Sequence, residues 1–404
     1  MITDRPNKPR EVPSRIEPTR LERPPEAIAD LAAELSSASA VLGRSLHPHT
    51  AAHLADLVRI MNTYYSNLIE GHDTRPRDIE RALAGDLDAD GERRNLQLEA
   101  TAHVRLQSEV DRQAASGQLP DPASEAFIQW LHREFYRDAP ERMLRVSGAG
   151  HDFVMTPGEW RSQPEHDVAV GRHLPPSSRA VGEFMQYFAI RYEAARMGKA
   201  GRIVSMAVAH HRFNYIHPFP DGNGRVSRLM SHAMGWRADV AAHGLWSISR
   251  GLARGLNSRG EYKQMMDLAD TPRQSAVDGR GNLSERALVE FVTWFLAVAV
   301  DQVTFMSSLF DLEGLSSRLR AYVAHDPTLK PEASRLLQEA LVRGELDRGE
   351  ASRVTGLPER SARRVLNDLT AKNLLASITP KGPVSLRFPA HTLDALFPRL
   401  YPHA

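Results

Sequence analysis

The sequence predicts a mainly α-helical protein with one small β-hairpin in its middle and a helical C-terminal segment closed by a second hairpin. Apolar residues recur three and four apart along most of the 404 residues, as in Leu54, Leu57, Val58, Met61, Tyr65 and Leu68, the spacing of a single buried helix face. The one convincing β signal in the central part lies within residues 155–176, where 158–161 and 167–171 pair around the turn Gln163-Pro164-Glu165. From about Leu329 the character changes to shorter, more basic helices that end on a Pro/Gly turn between two β-prone stretches.

Residues 1–25 carry six prolines among scattered charges, a composition that cannot bury enough apolar surface to order itself, so they read as a disordered or draping tail. Helical spacing then covers 25–71, 77–84, 92–114, 124–137 and 178–197, and resumes over 203–214, 222–237, 259–269 and 285–310. Gly150, Pro157-Gly158, Pro175-Pro176 and Asp278-Gly279 punctuate these runs. In the C-terminal segment, helices over 332–343, 347–355 and 359–375 flank a turn at Gly356-Leu357-Pro358. A hairpin of 376–378 against 384–388 follows, with Lys381 at its tip. This order resembles a winged helix-turn-helix domain. Residues 348–388 hold eight basic groups against three acids, which fits a phosphate-facing surface; dimerisation or target docking is the alternative use. The organisation read from sequence is a tail (1–25), an N-terminal helical region (26–150), a core (151–315) and a winged helix-turn-helix domain (330–404).

With 51 basic against 50 acidic residues the formal net charge is +1, so global charge points to neither a nucleic-acid nor a membrane surface, and only local patches can. Cysteine is absent, which excludes disulfides, thiolate metal sites and a cysteine nucleophile and fits a reducing compartment. The most apolar stretch, 287–310, is interrupted by Glu290 and Asp301, so it reads as a buried helix rather than a span. No secretory h-region opens the chain. The expectation is a soluble, cytoplasmic protein with no membrane partner.

The most informative segment is His217-Pro218-Phe219-Pro220-Asp221-Gly222-Asn223-Gly224-Arg225-Val226-Ser227-Arg228. Glycines flanking Asn223 let successive backbone N–H groups converge into a nest for phosphate oxygens, and a helix starting near Asn223 adds its dipole. Arg225 and Arg228, three apart, share a helix face and can grip phosphates. Asp221 is a hard oxygen ligand for Mg²⁺ carried by phosphates. His217 can accept a proton from an incoming hydroxyl near neutral pH. Phe219 offers packing only and reads as an anchor for the loop.

Every defined position of the pattern H-x-F-x-(D/E)-G-N-G-R-x-x-R is present, and the segment resembles the signature of the Fic family. The resemblance implies an all-helical catalytic core and a protein adenylyltransferase. Such an enzyme takes ATP with Mg²⁺ and moves AMP onto a Ser, Thr or Tyr hydroxyl of a protein target, self-modification included. His217 would then be the general base and Asp221 the Mg²⁺ ligand. Gly222, Asn223 and Gly224 would contact the oxyanion, Arg225 the β-phosphate region and Arg228 the γ-phosphate. The hairpin within 155–176 would be the flap that receives a target segment along its strand edge; an ordinary hairpin covering the core is the alternative. Removal of AMP, transfer of another nucleotide, or a DNA-binding regulator with an idle core are the rival readings of the whole chain.

Ser66-Asn67-Leu68-Ile69-Glu70-Gly71 resembles the family's (S/T)-x-x-x-E-(G/N) inhibitory motif. Ser66 and Glu70 fall four apart on one helix face, with Gly71 placed as a C-cap. A glutamate in a last helical turn opposes the dipole, and in the family its partner is the second motif arginine, here Arg228. A motif N-terminal to the signature implies a class II, self-inhibited member. Asn257, with Tyr262 close by, follows the signature by an interval at which related proteins place adenine or ribose contacts. His210 and His211 are adjacent on a helix and so face different directions, which argues for structural roles over a shared metal.

Overall fold

The computed structural model describes residues 11–148, 151–171 and 173–401; the first ten residues of the expected tail and the expected turn at Gly150 lie outside them. In chain order the helices begin with α1 (Glu26–Arg44), α2 (Pro48–Ile69), α3 (Pro76–Leu83), α4 (Gly91–Ala115), α5 (Glu125–Phe135) and the single turn α6 (Glu141–Leu144). Strands β1 (Arg145–Gly148) and β2 (His151–Val154) precede α7 (Val181–Tyr192), α8 (Lys199–Ile216) and α9 (Asn223–Arg237). Then come α10 (Ile248–Arg254), α11 (Glu261–Ala269) and α12 (Glu285–Leu309). The remainder is α13 (Leu312–His325), α14 (Ala333–Arg343), α15 (Ala351–Thr355), α16 (Glu359–Ala371), β3 (Leu375–Ala376), β4 (Ser385–Leu386) and α17 (Leu393–Leu396). The chain is mainly helical, as its periodicity predicts. Short α10 went unread, because Gly251 interrupts its period and Gly255 follows it at once, and so did α13, whose buried Leu315, Leu319 and Val323 repeat beyond the expected helix end at 310.

Two compact units share these elements, each discontinuous in sequence. The first comprises Met1–Ala33, Ser116–Ala238 and Leu252–Val298. Its centre is α8, buried on nearly every face from Ile203 to Ile216, with the polar side chains of His210, His211 and Arg212 included. α7 and α9 pack on α8, and α5 packs on α9. Phe184, Phe188, Phe213 and Phe291 are fully buried in this unit, each such side chain contributing roughly 1.5–3 kcal/mol. Helix α12 is long and apolar enough to cross a bilayer by length and composition, yet Leu288, Phe291, Val292 and Phe295 are buried within the protein.

Residues 11–25 drape over the first unit through specific contacts. Ile16 is buried in a short 3-10 turn over Pro13–Ile16. Arg15 Nε donates to Tyr215 Oη at 3.1 Å, and the Leu283 N–H donates to the Glu17 carbonyl at 2.8 Å. Fully buried Arg212 on α8 donates from Nε and Nη2 to the Pro18 carbonyl (3.2 and 3.1 Å) and from Nη1 to the Ala269 carbonyl (3.2 Å).

The central hairpin is not where the sequence places it. β1 and β2 pair antiparallel, Arg145 opposite Val154 and Val146 opposite Phe153. The expected strands 158–161 and 167–171 do not pair with each other. The Arg161 N–H donates to the Pro218 carbonyl at 2.8 Å instead, and 164–166 form a 3-10 turn. In place of the second strand, Val170 and His173 exchange both backbone hydrogen bonds (3.0 and 2.9 Å). Residues 158–161 alternate like a strand but serve the motif loop, the Trp160 ring lying against Phe219 and Arg161 binding the His217 carbonyl, and local pattern does not distinguish these uses.

The second unit comprises Glu34–Ala115, Asp239–Gly251 and Ala299–Ala404. α2 packs on α3 and α4 along a polar seam in which Asn62 Nδ2 donates to Gln107 Oε1 (2.6 Å), Thr63 Oγ1 meets His103 Nδ1 (2.9 Å) and Arg59 Nε meets Asp111 Oδ2 (2.8 Å). α14, α15 and α16 follow one another in contact. β3 pairs antiparallel with β4, Leu375 opposite Leu386, and a bridge between Leu346 and Val384 adds a third segment to that hairpin. The C-terminal order of helix, short helix, turn, helix and hairpin is therefore as the sequence predicts.

Arg212→Ala would leave the Pro18 and Ala269 carbonyls buried without their donor. The expected loss of stability is about 2–4 kcal/mol, read by urea denaturation with unchanged slope. A loss below about 0.5 kcal/mol, the range of ordinary surface changes, would show that water replaces the guanidinium.

Candidate active site

Two helix ends and a six-residue loop build the site. α8 stops at His217, whose backbone is left-handed (φ 50, ψ 60) and whose N–H still donates to the Phe213 carbonyl. α9 starts at Asn223, with Gly222 as N-cap at φ 80. Gly222 must be glycine on two counts: its φ, and an added Cβ that would stand 2.8 Å from Tyr136 Oη. Asn223 closes the loop on itself. Its Oδ1 accepts from the Phe219 N–H (2.9 Å) and its Nδ2 donates to the Phe219 carbonyl (2.8 Å). Asn223 can therefore serve a ligand through its backbone N–H, its amide being committed to the loop. The N–H groups of the first turn of α9 have no acceptor within the helix, and the dipole favours an anion there.

Arg161, fully buried, fixes the reversal from behind. Its Nε donates to the His217 carbonyl (2.7 Å), Nη2 to the carbonyls of Pro176 (3.0 Å) and Ile216 (3.2 Å), and Nη1 to Ser178 Oγ (3.1 Å). Burial lowers its pKa to about 10, so it remains a cation at neutral pH. The Phe219 ring stacks on His132 at 3.8 Å between centroids and leans on Trp160 at 4.7 Å, confirming Phe219 as the anchor.

The same His132 ties α5 to the loop. Its Nδ1 accepts from the Gly158 N–H at 2.8 Å, and its Nε2 lies 3.2 Å from the Asp221 carbonyl, so the proton resides on Nε2. Burial pushes the pKa of His132 down to about 4. One turn on, Tyr136 Oη donates to Asp221 Oδ2 at 3.2 Å, and Arg225 Nη2 reaches the same oxygen at 3.2 Å. Burial works to raise the Asp221 pKa, but Arg225, the Gly222 N–H and the Tyr136 hydroxyl outweigh it and hold the carboxyl below its usual range. The carboxylate stays ionised and half exposed (53 %).

His217 is neutral at pH 7. Burial first, then the nearby Arg161 cation, lower its pKa to about 4, against an opposing hydrogen bond to the Asn214 backbone. One ring nitrogen is thereby occupied and the other carries a lone pair, the form a proton acceptor needs. Arg225 is buried with its guanidinium over the rings of Phe135 (5.4 Å) and Tyr136 (5.9 Å). Arg228, one turn further along α9, is also buried.

The structure thus gathers His217, Asp221, Gly222, Asn223, Gly224, Arg225 and Arg228 on one loop and the first two turns of one helix. Asn257 sits on an exposed turn before α11, its N–H donating to Glu261 Oε1 at 2.9 Å. His210 bonds Ser231 Oγ (2.9 Å) and Tyr262 Oη (2.8 Å), while His211 meets Asp270 Oδ1 (3.1 Å). The two rings diverge as adjacency on a helix requires, and Tyr262 supports His210. No group of three His, Cys, Asp or Glu side chains suited to a metal occurs among the described residues. In the second unit Ser66 is buried in the last turns of α2, exposed Glu70 is its C-cap, and Gly71 follows at φ 88. His132, Tyr136 and Arg161 escaped the sequence reading. The first two are visible only as a polar pair four apart on the otherwise apolar stripe Phe127, Ile128, Leu131, Phe135.

Residues 122–234 match the model of the Fic/DOC family. Over 89 residues the chain is 35% identical to the protein adenylyltransferase Fic of Drosophila mojavensis, covering 22% of this chain and 17% of that protein. Over 102 residues it is 35% identical to the protein of the same name from Drosophila erecta, covering 25% and 20%. The chain spans about a fifth of the length of these curated relatives. In fold it is similar to a Fic family protein from Desulfovibrio desulfuricans, with a TM-score of 0.53, 18% identity and 90% and 96% of the two chains covered. It is also similar to a Fic domain containing signaling protein from Bacteroides thetaiotaomicron, with a TM-score of 0.50, 20% identity and 69% and 95% covered.

Because the folded pKa of His132 lies near 4 and the unfolded one near 6.5, protonation favours the unfolded chain between those values. Stability is full above about pH 6.5 and falls as the pH drops through that window. Thermal melts of wild type and His132→Gln across this range should show a shallower fall in the variant; parallel curves would remove His132 from the linkage.

Proposed function

Since residues 122–234 form a domain of the Fic/DOC family, we propose that this chain is a protein adenylyltransferase. It would transfer AMP from ATP to a Ser, Thr or Tyr hydroxyl of a target protein and of itself. The observation that carries the reading is the conjunction at the α8–α9 loop. A neutral imidazole stands at one end, an ionised carboxylate in the middle, and a helix N-terminus with two buried arginines at the other. The target hydroxyl oxygen bonds to the α-phosphorus, and the bond to the bridging oxygen of the β-phosphate breaks. Pyrophosphate leaves and the hydroxyl proton passes to His217. The α9 N-terminal N–H groups and Arg225 face the charge that develops on the phosphates, and Arg228 holds the γ-phosphate, so catalysis rests on positioning and preorganised charge.

Mg²⁺ fits the residues present. It is commonly held by one or two carboxylates plus substrate phosphates, and Asp221 supplies one ionised, half-exposed carboxylate. When bound with ATP it would neutralise phosphate charge. Asp221→Ala should therefore weaken ATP binding in the presence of Mg²⁺ far more than in its absence.

The base is tested by His217→Ala, expected to cut AMP transfer by about 10²–10⁴-fold with ATP binding kept. With the imidazole pKa near 4, transfer should stay level from pH 8 down to about 5 and fall only as the pH approaches 4. Intact-mass spectrometry after incubation with ATP and with other nucleotides reads both. Near wild-type transfer by His217→Ala would end its assignment as base, and a gain matching another nucleotide, or loss of AMP from modified protein, would redirect the reaction.

Self-restraint by Glu70 is the finer part of the proposal. It is supported by the Ser66–Gly71 pattern and by a carboxylate standing at the negative end of α2. On the resemblance of the Ser66–Gly71 pattern, Glu70 would compete with the γ-phosphate for Arg228, and ATP would then bind with its α-phosphorus out of line. Misplacement by about an ångström costs on the order of a hundredfold. Glu70→Gly should raise self-modification by at least that order, and Ser66→Ala more mildly. Arg228→Ala added to Glu70→Gly should abolish the gain. An unchanged modified fraction in Glu70→Gly at saturating ATP would reject the restraint.

A further inference from the structure

We infer that α16 and the tip of the β3–β4 hairpin form a surface for duplex DNA. The sequence shows eight basic groups over 348–388, and the structure sorts them into two sets. Four are committed within the second unit. Arg348 Nε donates to the Gly382 carbonyl (3.1 Å), and Arg353 pairs with Glu350 (2.8 Å) and Glu339 (3.2 Å). Lys372 pairs with Asp326 (2.8 Å), and Arg387 Nη1 donates to Ser385 Oγ (2.7 Å). The other four, Arg360, Arg363, Arg364 and Lys381, are exposed and form no ion pair among the described residues.

Those four are not scattered. On α16 the residues Ala362, Val365, Leu366 and Leu369 are buried, so Arg360, Arg364 and Asn367, at i, i+4 and i+7, line the opposite face with Arg363 beside them. Lys381 stands at the hairpin tip, where the Gly382 N–H closes the turn on the Thr379 carbonyl (3.2 Å). Arg348 clasps this tip through Gly382, which fixes the tip to the body of the segment. Asp368, four residues after Arg364, is half-buried and forms no ion pair with it, and Glu359 opens the helix off that face.

A row of exposed cations that the protein leaves without carboxylates repels itself, and a polyanion relieves that repulsion. An α-helix of about 10–12 Å diameter matches the width of the DNA major groove, about 12 Å. Asn367 carries a side chain that pairs with adenine edges, while Arg360, Arg363, Arg364 and the hairpin lysine reach backbone phosphates. A short helix, a turn at Gly356-Leu357-Pro358 and a longer second helix are also the arrangement that presents such a helix to a groove. A second protein copy would need apolar surface on this face, and α16 buries its apolar residues inward.

The test uses the full chain, without ATP, and a fluorescent duplex of mixed sequence read by anisotropy. Four displaced counterions give a slope of about −3.6 in log affinity against log salt, on the order of a hundredfold loss between about 50 and 200 mM. Arg364→Gln and Lys381→Gln should each lower the slope by about one. Arg353→Gln, exposed but paired, should leave it unchanged, and so should His217→Ala, which separates this inference from the proposed transfer reaction. Absence of binding at about 50 mM salt overturns it. Equal losses from Arg353→Gln and Arg364→Gln overturn it too, as does light scattering in which Arg364→Gln dissolves a dimer without altering DNA binding.

Discussion

The reversal of the chain between α8 and α9 depends on a buried guanidinium. Arg161 binds the carbonyls of Pro176, Ile216 and His217 while its own N–H holds Pro218. Those carbonyls belong to a helix end and to an extended segment, where no ladder or turn satisfies them. A lone buried cation is costly, and here charge-assisted hydrogen bonds to several carbonyls offset that cost. The left-handed His217 and the positive-φ Gly222 are held from outside by this clamp, by Asn223 and by the Phe219–His132 stack. They would be strained in an isolated peptide.

Around that loop, burial decides the state of each ionisable group. Desolvation lowers the pKa of both His132 and His217 to about 4, and two neutral imidazoles result with different uses. His132 has both nitrogens committed to the Gly158 N–H and the Asp221 carbonyl. His217 keeps a lone pair. Asp221 goes the other way because Arg225, Tyr136 and the Gly222 N–H surround its carboxylate. A base without charge and an acid group without its proton therefore stand within one loop, four residues apart, at the same pH.

In the second unit, charge pairing rather than burial does the sorting. Arg343 and Arg353 share Glu339 and Glu350, a network on one side of α14 and α15. The cations of α16 stand apart from it. Exposed pairs of this kind contribute little stability; their consequence is to concentrate the uncompensated charge on one helix face and one hairpin tip.

Most of the helices, their order and the catalytic loop were legible in the sequence because each rests on local information. Leu54 to Leu68 repeat at the helical period, Gly222 and Gly224 bracket the start of α9, and Gly356-Leu357-Pro358 separates α15 from α16. The C-terminal hairpin was legible too, from β-prone residues on either side of Thr379–Pro383. The sequence could not place the central hairpin, because 158–161 alternate in the same way whether they pair with a strand or wrap Trp160 and Arg161 onto a loop. Nor could it single out His132, Tyr136 and Arg161, which lie 56–89 residues before the groups they hold. Residue types and spacing along the chain determined which chemistry is present. Only tertiary packing decided which side chains are protonated, which cations remain uncompensated and which residues fix the loop, since those depend on desolvation and on partners distant in sequence.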